Sequence, residues 1–213
     1  MAILKDGIHG PFSGRVGNVV GYELNGQAIV RSLPSRPKRK PTKLAALNQQ
    51  RMKVVSQFLR PIKPIINWGY KDLAPSGSRI GSFQQAQSYI FKNALDYDAD
   101  NENAPYVNPE KVLLFRGEQT PPRNPQVRRE GKILVFEWDS SYTGLRDEIF
   151  VAAIYDGKNI FDLLSSGPDL SARSYAWEPF GNTMMGKVPF HVYVGSKNTL
   201  TDKLSDSVYL GVV

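Results

Sequence analysis

Cysteine is absent from this 213-residue chain. That excludes disulfides, thiolate nucleophiles and every cysteine-ligated zinc or iron-sulfur centre. No apolar run is long enough to span a bilayer, and the opening Met1-Ala-Ile-Leu-Lys-Asp-Gly reaches charge before the apolar core of a signal peptide can form. The expected location is therefore the cytoplasm or a virion. Histidine occurs only as His9 and His191. No Ser-His-Asp set, metal-ligand spacing or carboxylate pair is specified, so the expectation is a non-enzymatic protein with no catalytic, cofactor or metal residues. Acidic residues are missing from Leu24 to Lys71, a stretch holding eleven Lys or Arg; with a net charge of +7, the remainder of the chain sums to −4. A partner that reads charge meets this segment first.

What is present describes a globular chain, 41% apolar and 22% charged. Four glycines and a proline between residues 7 and 17 break any helix, so this part reads as an irregular or extended arm. Gly14-x-x-Gly17 lacks the Lys-Ser/Thr and the following helix of a phosphate loop. Next, Asn25-Gly26 between the β-rich runs 19–22 and 27–33 predicts a hairpin, a ribbon too small to stand alone that must pack on its own helix or on another subunit. Three prolines and four basic residues in 34–41 make an extended linker, in which Arg36, Lys38, Arg39 and Lys40, together with Lys43, are candidate nucleic-acid or anion contacts.

Thr42 is the predicted cap of a helix to about residue 59, ended by Pro61 and Pro64. Leu44, Leu47, Val55, Phe58 and Ile62 share one stripe. Arg51 falls inside that stripe, which makes it a candidate buried ion pair or interface residue. Lys53 and Arg60 lie on the opposite, solvated face. Trp68 and Tyr70 are candidate anchors of the core or an interface. A second helix over 81–95 carries Ile80, Phe83, Ala86 or Gln87, Ile90 and Ala94 at helical spacing, and the two stripes pair as a helical hairpin.

Residues 96–109 turn acidic and loop-like, a boundary that lacks the glycine and glutamate of an EF-hand loop. Strand-like runs follow at 112–116, 133–138, 149–155, 160–164, 174–177, 188–194 and 207–212. Seven short strands in about 100 residues predict an immunoglobulin or fibronectin type III-like β-sandwich, the latter favoured without cysteines, with Trp138 and Tyr193 in its core. The fold class is thus α+β: a β-hairpin arm with basic linker (1–41), a helical segment (42–104) and a β-sandwich (105–213).

Gly10-Pro-Phe-Ser-Gly-Arg-Val-Gly-Asn-Val-Val-Gly-Tyr22, Val30-Arg-Ser-Leu-Pro34, Asn48-Gln-Gln-Arg51, Phe58-Leu59, Asn67-Trp-Gly-Tyr70 and the closing Ser205-Asp-Ser-Val-Tyr-Leu-Gly211 resemble the family called domain of unknown function 6266. The resemblance implies a chain of this length from Bacteroidota or their phages, and it carries no activity. The expected function is a self-associating structural subunit of unknown process, such as a phage virion or filament component, that oligomerises through its arm. The alternative is a nucleic-acid-binding protein that uses the basic segment 31–63. No membrane partner is expected.

Overall fold

The computed structural model describes residues 2–3, 10, 12–24, 26–34, 40–74, 80–98, 101–139, 147–180 and 188–213. Within them the chain is α+β, with its strands in several antiparallel sheets. In the N-terminal part, β3 (Val19–Leu24) and β4 (Gln27–Ser32) form the expected hairpin: Leu24 pairs with Gln27, and Gly26 takes the left-handed φ of +78° that the tight turn demands. The hairpin does not stand as a bare ribbon. Strand β1 (Ala2–Ile3) pairs with β4 and β2 (Gly14–Val16) with β3, giving the order β1-β4-β3-β2. Of the stretch expected as an irregular or extended arm, Gly14–Val16 is thus strand. Gly17 and Asn18 turn the chain between the paired Val16 and Val19, with Gly17 at φ +59°, so its glycine serves a turn rather than a phosphate.

Helix α1 (Lys43–Leu59) starts where expected, because Thr42 Oγ1 accepts the Ala45 N–H at 3.2 Å and satisfies a donor that the helix leaves free. Its apolar stripe is only half used. Val55 and Leu59 are fully buried, whereas Leu44, on the same side of the first turn, is 65% exposed. Helix α2 (Lys63–Gly69) takes Pro64 in its first turn, where a missing N–H costs nothing, and buries Ile65 and Ile66. Helix α3 (Ser82–Asn93) buries Ala86 and Ile90 against α1 and α2. It stops before Leu95 because the acidic stretch, expected as loop, is a hairpin of β5 (Leu95–Asp98) and β6 (Asn101–Val107). Leu95 and its partner Val107 pack on the helical core, and Asp96 reaches Lys111 Nζ at 2.6 Å. Alternation of Leu95 and Tyr97 with acidic residues is a strand pattern that charge disguised.

The C-terminal half holds β7 (Arg123–Glu130), β8 (Ile133–Asp139), β9 (Glu148–Tyr155), β10 (Phe161–Leu164), β11 (Ser174–Trp177), β12 (His191–Asn198) and β13 (Val208–Val212), in sheets ordered β11-β8-β7 and β10-β9-β12-β13. One core unites Leu134, Phe136, Trp138 and Trp177 of the first sheet with Phe150, Ala152, Ile154, Val192 and Val194 of the second. There Trp138 stacks on Phe150 (ring centroids 4.5 Å apart, planes at 6°) and donates Nε1–H to the Leu170 carbonyl at 2.7 Å. Alternate residues of β9 and β12 face the other way. Val151, Ala153, Tyr155 and Tyr193 join Val55, Leu59, Ile62, Ile65, Ile66, Tyr70 and Ile90 in a second core, so β9 is buried on both faces. A continuous apolar core therefore crosses the expected division between residues 104 and 105.

Two strand assignments differ. Residues 112–116 belong to no sheet and bend at Leu114 and Phe115; Leu114 N–H donates to Ser207 Oγ (2.9 Å) and Arg116 N–H to the Gly69 carbonyl (3.0 Å). Strand β7 was missed because its outward Gln126, Arg128 and Glu130 and its bulge near Pro125 leave Val127 as its one aliphatic residue.

Candidate functional site

The sequence candidates separate into residues used inside the fold and residues left facing solvent. Arg36, Lys38 and Arg39 lie outside the described residues. Lys40 and Lys43, at the amino end of α1, are exposed. Arg51 does not meet the carboxylate expected of an ion pair among the described residues. Its guanidinium lies 5.3 Å from the Tyr97 ring centroid, Nη1 donates to Asn48 Oδ1 at 3.2 Å, and the buried Nε has no hydrogen-bond partner there. A ring face on the β5–β6 hairpin thus replaces the expected anion. Trp68 sits edge-on to Phe115 at 5.3 Å. Tyr70 is fully buried within the chain and donates its hydroxyl proton to the Leu113 carbonyl at 3.0 Å; burial pushes its pKa well above the ordinary tyrosine value. Both are anchors between α2 and the segment that leads into the sheets.

Three further hydroxyls are spent in the same way. Tyr193 donates to the Pro109 carbonyl at 2.9 Å, Tyr155 to the Lys158 carbonyl at 3.2 Å, and Ser196 Oγ to the Thr120 carbonyl at 2.7 Å. Burial raises the Tyr155 pKa to about 12, so these phenols stay protonated donors at neutral pH. Asp202, held between Lys71 and Lys197 and depressed in pKa by both, ties the turn after β12 to the end of α2.

His191, in the run expected as a strand at 188–194, opens β12. Its Nδ1 lies 2.8 Å from the Tyr209 hydroxyl on the neighbouring strand, and burial lowers its pKa. The unfolded chain therefore takes up the proton first. The resulting contribution to stability is complete above the unfolded value of about 6.5 and is lost as pH falls through the lower folded value. Urea unfolding between about pH 7 and pH 5 is expected to show this decline, and the His191→Asn variant to flatten it.

A feature that sequence reasoning missed lies along α1. Lys53 and Arg60, assigned to bland solvation, border two adjoining recesses that share Arg60. One, of about 340 Å³, is lined by Gln49, Lys53, Ser56, Gln57 and Arg60; the other, of about 460 Å³, by Arg60, Lys63, Asn67, Ser82 and Gln84. The i, i+7 spacing of Lys53 and Arg60 was visible. The return of Lys63 and the start of α3 to the same seam was not.

The geometry defines a class: an α+β protein in which three helices cover one face of an antiparallel sheet, preceded by a small sheet of its own. The chain belongs to the family of unknown function DUF6266, whose model matches residues 11–211. No curated protein matches it.

Proposed function

We propose that this protein is a non-enzymatic assembly subunit that docks its N-terminal sheet on sister copies, as a phage virion or filament component does, and that residues 105–213 are a fibronectin type III-like β-sandwich. The observation that carries the assembly reading is the placement of the leading sheet. No described residue before Val55 belongs to either core, and on β2 and β3 the cross-strand pair Val16 and Val19 remains 64% and 37% exposed. Among the described residues, strand β2 is the edge of its sheet, with no strand on its outer side. An edge strand is its own complement, so a second copy related by a two-fold axis can pair with it and cover both valines. The buried hydroxyls described above, each given to a backbone carbonyl, support a structural rather than a chemical role for the body.

The sandwich reading is supported by a three-strand and a four-strand sheet sharing one core, with chain crossings after β8, β10 and β11. Strand β10 pairs with β9 rather than β11, which departs from the constant-type immunoglobulin order and agrees with the fibronectin-like variant.

Sedimentation velocity with electron microscopy tests the assembly. The full chain is expected to form concentration-dependent oligomers, and the Val16→Asp, Val19→Asp double variant to weaken them at least about tenfold, since burying what the two valines leave exposed contributes about 1.5 kcal/mol or more in total. A full chain that stays monomeric at every concentration would overturn the reading.

A further inference from the structure

The seam along α1 carries a second inference, independent of the assembly reading. Elsewhere, Lys71, Lys111, Lys197, Lys203 and Arg128 each lie within 4 Å of a carboxylate. Lys53, Arg60 and Lys63 have no such partner among the described residues; Lys53 borders one recess, Lys63 the adjoining one and Arg60 both, and neither lining contains an acidic residue. Three exposed cations along one seam without counter-charge raise a local positive potential that favours an anion from outside.

Their arrangement narrows the kind of anion. Lys53 and Arg60 are two turns apart on one face of α1, about 10 Å along its axis, and Lys63 continues the line beyond Pro61. Charge strung along a line fits a chain of anions better than a single one, and a strand carrying one phosphate per nucleotide is such a chain. The cations border recesses rather than a flat or convex surface, which suits a strand that enters them and not the plane of a membrane. Beside the cations the recesses are lined by Gln49, Gln57 and Asn67, amides that can donate to phosphate or sugar oxygens without adding charge. We propose that this seam is a groove for the phosphodiester backbone of a single nucleic-acid strand, with Lys53, Arg60 and Lys63 as its phosphate contacts. The contacts carry no base-edge readout, so binding is independent of sequence.

The test is fluorescence anisotropy of the full chain with a labelled single-stranded oligonucleotide of mixed sequence, titrated between about 50 and 200 mM salt. Replacing Lys53, Arg60 and Lys63 with Gln is expected to weaken binding by roughly tenfold or more and to reduce the slope of log affinity against log salt by about 2, from three lost phosphate contacts at about 0.7 each. A control that replaces Lys92, Arg123 and Lys158, exposed cations on other elements, removes the same net charge and is expected to leave both values near wild type. Equal losses in the two variants would assign the binding to overall charge and overturn the groove. So would absence of binding by the wild type at the lowest salt, or tighter binding to phosphatidylserine vesicles than to the strand. Sedimentation of the groove variant is expected to match wild type, which keeps this result separate from the fate of the assembly reading.

Discussion

Expressed alone, residues 105–213 are expected to fail to fold, while the full chain unfolds with its helices and sheets in one transition. The reason is the second face of the central sheet. In the full chain Val151, Tyr155, Tyr193 and Leu114 are buried in a core completed by Leu59, Ile62, Ile65, Ile66 and Ile90 from the helices. Exposing those four side chains forfeits about 2 kcal/mol each, a total of about 8 kcal/mol, which is comparable with the entire stability of an ordinary domain. Phe58, edge-on to Tyr155 at 5.6 Å, is lost as well. Far-UV circular dichroism and tryptophan fluorescence during urea unfolding decide the matter. Coincident transitions for the helices and for Trp138 and Trp177 are expected in the full chain, and no cooperative transition in the fragment. A fragment that melts sharply with native tryptophan fluorescence would show that the β-half is self-sufficient despite its covered face.

The same double burial explains which parts of the fold were legible in the sequence. Local signals were reliable: the hairpin turn at Gly26, the cap at Thr42, and Trp138 alternating with Phe136 and Leu134 toward one core. The run Phe150 to Tyr155 has no polar alternation at all, which is the mark of a strand covered on both sides, yet from sequence it is only one more apolar run. Strand β7 and the β5–β6 hairpin were hidden for the opposite reason, since their exposed faces carry charges that outweigh a few apolar positions. Arg51 shares the apolar stripe by spacing, but the Tyr97 ring it meets arrives on a hairpin whose acidic sequence predicts a loop. The candidate groove follows the same rule: Lys53 and Arg60 share a helix face by spacing, whereas Lys63 and the start of α3 join them only through tertiary packing.

Gly69→Ala is expected to destabilise the protein by about 3 kcal/mol, against the sign that helix propensity alone would give. Gly69 is the last residue of α2 and has ordinary helical geometry, so by propensity an alanine there would stabilise by up to about 1 kcal/mol. Packing reverses the sign. A Cβ at this position would stand 2.1 Å from the Leu114 carbonyl oxygen and 3.1 Å from the Phe115 Cα, backbone atoms that no rotamer change can move aside. The same glycine accepts the Arg116 N–H at 3.0 Å, and Tyr70 beside it donates to the Leu113 carbonyl, so forcing the segment away strains two hydrogen bonds as well as the apolar contact. Gly131→Ala supplies the contrast. Its φ is +64° but nothing lies within 4 Å of a Cβ there, so the loss is limited to about 1 to 2 kcal/mol of left-handed backbone strain. Urea midpoints rank the two variants, with Gly69→Ala expected to be the less stable. The reverse order, or a Gly69→Ala protein more stable than wild type, would mean that α2 and the chain at Leu114 do not touch as described, and with that contact would go the single core joining helices to sheet.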